Sequence, residues 1–141
     1  MKIIIRIIGE VGLSGDIKET LHRLRVRKKY SCVVLPTVSK QQEGMIEKVK
    51  NCVAYGEINK ELLEKLIEIR GKPIDKKKKI EPKKIVEELI KGKKYQELNL
   101  KPFFRLHPAR GGIKSKKHFG KEKGVLGDHG NEINKLLERM L

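Results

Sequence analysis

Two hydrophobic periods alternate along residues 1–71. In KIIIRII, residues 2–8, Ile3, Ile5 and Ile7 recur at every second position and share one strand face, with Arg6 on the other. GLSGD then turns the chain. Asp16, followed three residues on by Glu19, predicts a helix start, and Ile17, Leu21 and Leu24 form the apolar stripe behind it. YSCVVL predicts a second strand, ended by Pro36, which has no backbone donor to offer a ladder. Ser39 and Gln42 stand at capping-box spacing before a helix whose apolar face is Met45, Ile46 and Val49. CVAYGEI predicts a third strand. Asn59 then heads a helix carrying Leu62, Leu63, Leu66 and Ile67, with Gly71 at its stop and Pro73 beyond. A βαβαβ order followed by a helix is expected to form an α/β two-layer sandwich, ferredoxin-like, with helices on a small three-stranded sheet. Strand order and direction are not fixed by this pattern.

Beyond residue 71 the periodicity thins and the charge rises. Residues 1–71 hold 14 bases and 9 acids, whereas residues 72–141 hold 20 bases and 9 acids. KPIDKKKKIEPKK is a solvated connector in this reading, and Pro82 suits the first position of a short helix ending at Gly92. A segment rich in Gly, Phe, His and basic residues follows, FFRLHPARGGIKSKKHFGKEKGVLGDHG at 103–130. The chain closes with NEINKLLERML, where Ile133, Leu136, Leu137 and Met140 form a stripe that must pack on something. Two regions are therefore expected. Residues 1–71 are a compact βαβαβ core plus the following helix, able to fold cooperatively alone. Residues 72–141 are a basic extension with a short helix, an arm and a C-terminal helix.

The formal charge of +16 narrows the function classes. Charge of that size repels itself in a compact chain and favours polyanions, nucleic acid ahead of an anionic membrane surface. Solubility alone does not require 34 bases against 18 acids. Cys32 and Cys52 are isolated in apolar runs and read as buried reduced thiols, with no metal-site spacing. The apolar start is short, is broken by Arg6 and lacks a small-residue cleavage site, so a cytoplasmic protein without a membrane span is expected.

His107, His118 and His129 match no ligand spacing with a known mechanism, and the cations around them repel a divalent ion. GEVGLSG has glycines between a strand and a helix but lacks GxGxxG spacing, and Lys28 and Lys29 stand where an acid would close the unit. No triad or paired carboxylates emerge. The expectation is no enzyme, no catalytic residue, no metal, no cofactor and no small-molecule substrate. RNA-seeking groups, by contrast, recur. HRLRVRKK holds Arg23, Arg25, Arg27, Lys28 and Lys29 within eight residues without an acid. The segment from 103 mixes guanidinium groups, rings and glycines, the parts used on phosphates, unstacked bases and close backbone approaches. At least one of Phe103 and Phe104 is expected to anchor the segment to the core.

The stretches TLHRLRVRKKYSCVVLP, EGMIEKVKNCVAYGEI, FFRLHPARGGIKSKKHFG and GVLGDHGNEINKLLERML carry a family resemblance across essentially the whole chain. The chain resembles the ribosomal protein L-thirty family of the large subunit, in its longer archaeal form. The resemblance implies a non-catalytic structural constituent of the large ribosomal subunit. Such a protein binds and stabilises large-subunit rRNA, near 5S rRNA and beside neighbouring ribosomal proteins. By position it implies RNA contacts at Arg25, Arg27, Lys28 and Lys29, and secondarily at Ser39, Gln41 and Gln42. In the arm it implies Arg105, His107, Arg110, Gly111, Gly112, Lys114, Lys116, Lys117 and His118. Residues 105–123 are expected to be mobile in the free protein and to order on rRNA, since alone they cannot offset their ordering entropy. Two other readings share parts of this pattern: a free, sequence-tolerant nucleic-acid-binding protein, and a small-ligand regulatory domain built on the βαβαβ core.

Overall fold

The computed structural model describes residues 2–9, 12–35, 38–75, 77, 81–93, 95, 97–98, 100–101, 103–108 and 126–141. β1 (Lys2–Arg6) is the central strand, with β2 (Ser31–Leu35) and β3 (Val53–Glu57) on either side and antiparallel to it. Ile4 sits opposite Val33 on one flank and Tyr55 on the other. α1 (Gly15–Arg23) joins β1 to β2, and α2 (Lys40–Lys48) joins β2 to β3. The three expected strands are therefore present, and the extension widens their sheet. β4 (Phe104–Arg105) pairs antiparallel with β2, and β5 (Gly127–Asp128) pairs parallel with β3. The order is β4-β2-β1-β3-β5.

Both faces of this sheet are covered. The period of two sends Ile3, Ile5 and Ile7, with Cys32, Val34 and Ala54, to one side. There they meet α3 (Lys60–Arg70), α4 (Pro82–Ile90) and α5 (Ile133–Met140). Ile4, Val33 and Val53 point the other way, onto Leu21, Leu24, Ile46 and Val49 of the α1 and α2 side. The two-layer arrangement thus gains a third layer, because the helices after β3 pack on the face that α1 and α2 leave uncovered. One consequence falls on Arg6. It lies on the α1 and α2 face as expected, yet that face is closed and Arg6 is 0% exposed.

Local signals set most boundaries. Ser39 and Gln42 form the full capping box before α2. The start of α1 differs from the Asp16 expectation: Ser14, in extended conformation, is the cap, and its hydroxyl accepts from the Ile17 N–H at 3.4 Å. Asp16 instead sits in the first turn, where its carboxylate meets the positive end of the helix. Pro82 occupies the first turn of α4 as predicted. Ile133, Leu136, Leu137 and Met140 are all buried, so the C-terminal stripe packs as its spacing requires. A 3₁₀ turn at Gly130–Glu132 leads into it and crosses β3 so closely that a Cβ on Gly56 would lie 2.3 Å from the Gly130 carbonyl oxygen.

The apolar cluster on the α3 side draws on both halves of the chain. Ile3, Ile5, Val34, Leu63 and Leu66 share it with Ile85, Leu89, Leu100, Phe104, Leu126 and Leu137. Burying each such side chain stabilises by roughly 1.5–3 kcal/mol relative to exposure. A fragment of residues 1–71 keeps the α1 and α2 cluster but uncovers half of the other. We expect its urea midpoint to fall well below that of the full chain, read by circular dichroism; equal midpoints would show that the extension adds nothing to the fold. Cys32 and Cys52 are free and buried, and burial pushes both thiols above their ordinary pKa. Neither should react with iodoacetamide at pH 8 in the folded chain, and both should react in urea.

Candidate nucleic-acid interface

The loop between α1 and β2 is built around two residues with positive φ, Arg25 at 67° and Tyr30 at 65°. Arg25 is the first residue past the cap of α1. Its N–H donates to the His22 carbonyl at 3.0 Å, and the Val26 N–H donates to the Leu21 carbonyl at 3.1 Å. That pair of bonds is the Schellman closure, with Leu21 and Val26 in apolar contact beneath it. Glycine usually fills this left-handed position, since a Cβ there costs ~1–2 kcal/mol. An exposed arginine occupies it instead. Strain of this kind gathers at working surfaces and here fixes the direction in which a guanidinium leaves the helix end.

The buried Arg6 holds the loop from below. Its Nη1 donates to the Val26 and Arg27 carbonyls at 3.0 and 2.7 Å, and its Nε to the Ile8 carbonyl at 2.9 Å. Its own carbonyl accepts from the Tyr30 N–H at 2.8 Å. Three backbone groups of the loop, the Val26 and Arg27 carbonyls and the Tyr30 N–H, are thereby tied to the end of one strand.

β4 brings the distant arm to the same place. Arg105 pairs with Ser31 and Phe104 with Cys32, and the Leu106 N–H donates to the Tyr30 carbonyl at 2.9 Å. Alternation along β4 resolves the two phenylalanines. Phe104 turns into the α3-side core and is 1% exposed. Phe103 and Arg105 face the other way, beside the end of α1. A cleft of about 560 Å³ forms there. Arg23, Arg25, Arg27 and Lys28 line it from the helix end and loop, Arg105 from β4 and Phe103 from just before it, and His22 and Ser31 complete it. No lining residue is acidic. Arg23 also bonds Glu19 at 2.7 Å, an exposed pair one helical turn long. Lys29 lies just outside, with its Nζ 5.1 Å from the centroid of the Tyr30 ring.

Four of the residues singled out from the sequence, Arg25, Arg27, Lys28 and Arg105, therefore converge, and Lys29 flanks them. Ser39, Gln41 and Gln42 are elsewhere, at the start of α2; Ser39 and Gln42 are engaged with each other's backbone, while Gln41 is exposed. His107 is exposed, and its N–H donates to the Met140 carbonyl at 2.9 Å, which ties the start of the arm to the end of α5. Arg110, Gly111, Gly112, Lys114, Lys116, Lys117 and His118, with the rest of 109–125, lie outside the described residues. The sequence reading missed Arg6, His22, Ser31 and Phe103 as parts of the site. Phe103 was legible from strand alternation once one of the pair was assigned to the core. Arg6 carried no such signal, because its role depends on a loop twenty residues away.

Among the described residues no group of three or more His, Cys, Asp and Glu could hold a metal ion, and no helix is long and apolar enough to cross a membrane. Residues 3–53 match the family described as Ribosomal protein L30p/L7e. The chain is 40% identical to the large ribosomal subunit protein uL30 of Archaeoglobus fulgidus, over 97% of each chain. It is 42% identical to that of Desulfurococcus amylolyticus over 98% of this chain and 96% of the relative. The uL30 of Ignicoccus hospitalis gives 40% over 99% and 96%. The chain belongs to the L30p/L7e ribosomal protein family. As a member it is a ribosomal protein of archaeal type and not an enzyme, and the family's ferredoxin-like α/β fold is the one described above.

In this L30p/L7e protein the cleft separates two kinds of arginine, which stability measurements should tell apart. Arg25→Gly relieves the left-handed strain, and we expect the unfolding free energy to stay level or rise by about 1 kcal/mol. Arg6→Met strands the Val26 and Arg27 carbonyls in the interior and should lower it by roughly 3 kcal/mol or more. Urea melts of the two variants give the comparison; a destabilised Arg25→Gly would mean that its side chain holds the loop.

Proposed function

We propose that this protein is a structural constituent of the cytoplasmic large ribosomal subunit that binds and stabilises large-subunit rRNA beside 5S rRNA. Neighbouring ribosomal proteins are its other partners. The observation that carries this reading is the pairing of β4 with β2. It sets Arg105 against Arg25, Arg27 and Lys28, residues that are far apart in sequence, in a cleft with no acidic wall. Guanidinium groups so gathered repel one another until phosphates enter between them. The uL30 relatives are named as large-subunit proteins, which supports the same partner.

Lys29 extends the cationic surface from the cleft. His107 opens the arm, and Arg110, Lys114, Lys116, Lys117 and His118 continue it in sequence, with Gly111 and Gly112 allowing close approach of backbone to RNA. The arm's two ends leave from β4 and β5, the opposite edges of the sheet. Four inter-strand spacings set these about 19 Å apart.

Binding to a transcript that joins the cognate large-subunit rRNA segment to 5S rRNA should weaken steeply with salt, by about 0.9 logarithmic units of affinity per unit of log salt for each phosphate contact in duplex. Filter binding between 50 and 300 mM KCl on the wild type, Arg25→Gly and Arg105→Ala measures this. Each substitution should reduce the slope by about one while the melting temperature holds or rises. A flat salt dependence, or a random single-stranded RNA that competes equally, would remove rRNA recognition as the function.

A further inference from the structure

We propose that the cleft is a pocket for a single unpaired nucleotide, with the base laid against Phe103 and the phosphate held by the guanidinium groups of Arg25, Arg27 and Arg105. This rests on the cleft facing RNA and says what part of the RNA enters it. Three observations lead there. The first is Phe103 itself. It is half-buried, yet it belongs to neither apolar cluster, although its neighbour Phe104 is fully inside one. A ring placed outside both cores, in a wall that is otherwise polar and mostly cationic, has a face for a partner that is flat and tolerates positive charge. A nucleobase is such a partner, and an aliphatic side chain gains little there.

The second is size. A volume of about 560 Å³ lies within the range of sites that enclose one small molecule. It admits one nucleotide and excludes a duplex, whose bases remain stacked. The third is the arrangement of polar groups. The arginines come from two sides, the loop after α1 and the strand β4, whereas Ser31 contributes the one hydroxyl of the lining from a buried position. Phosphate neutralises the rim, the base meets the ring, and the hydroxyl can accept from or donate to a base edge. Duplex phosphates alone would use the arginines and leave Phe103 without a role.

The chain contains no tryptophan, so Phe103→Trp introduces one reporter at the proposed stack. On addition of the large-subunit rRNA transcript its emission should be quenched, and a fully paired duplex of equal length should leave it unchanged. Phe103→Leu keeps apolar bulk without a flat ring, and Phe103→Tyr keeps the ring. The first should lose affinity on the order of tenfold with the salt slope unaltered, and the second should bind as the wild type. Melting temperatures of all three should match the wild type, because Phe103 lies outside both clusters. Wild-type affinity in Phe103→Leu, or unquenched tryptophan on bound rRNA, overturns the stacked nucleotide while leaving rRNA binding intact. Failure of the wild type itself to bind the transcript overturns the proposed function and this pocket together.

Discussion

The guanidinium of Arg6 sits in the interior at the end of the central strand and donates to the carbonyls of Ile8, Val26 and Arg27. Removing such a group from water costs several kcal/mol; charge-assisted hydrogen bonds from Nε and Nη1 to main-chain oxygens offset part of it, while Nη2 is buried with no hydrogen-bond partner among the described residues. The bonds have a directional effect that apolar packing could not supply. They fix the course of a loop whose own side chains, Arg25, Arg27 and Lys28, all point outward and repel one another. Within that loop only Val26 is buried, against Leu21 and Leu24, and the cations on either side of it have no packing to define their course. The rest of its geometry is held from beneath by a cation that meets the loop through main-chain carbonyls, those of Val26 and Arg27.

The same dependence of outside on inside recurs at β4. Two residues of strand suffice to place Arg105, because Phe104 between Phe103 and Arg105 is locked in the core. The extension is therefore no loose tail. Its apolar residues complete the cluster under α3, and its strands border the sheet on both sides. Tyr95 adds to this: its hydroxyl donates to the Val34 carbonyl on β2, and burial raises its pKa.

Much of this was legible from local chemistry. The alternation of Ile3, Ile5 and Ile7, the capping box of Ser39 and Gln42, Pro82 at the head of α4 and the stripe of α5 each state their element within ten residues. The charge of HRLRVRKK likewise marked the end of α1 and the loop after it as a run of exposed cations, Val26 and Leu24 apart. What was not legible depends on pairing at long range. Ser14 and Asp16 both suit a helix cap, and only the start of α1 at Gly15 shows that Ser14 is the one used. Arg6 reads as the polar side of an edge-like strand until its strand proves central and its second face closed. Phe103 and Phe104 read alike until β4 finds its register on β2. The third helical layer follows from the packing of α3 on the sheet face opposite α1 and α2, which βαβαβ order alone does not specify.

The two shortest strands have a further effect. A sheet of β2, β1 and β3 alone would expose two edges, each with a row of unpaired amides and carbonyls, and such edges recruit other strands. β4 covers the Ser31–Cys32 end of β2, and β5 covers Ala54 and Tyr55 of β3. A second copy approaching these stretches in register would meet a ladder already in use. The extension thus shortens the edge that the three-stranded core would otherwise offer to another chain.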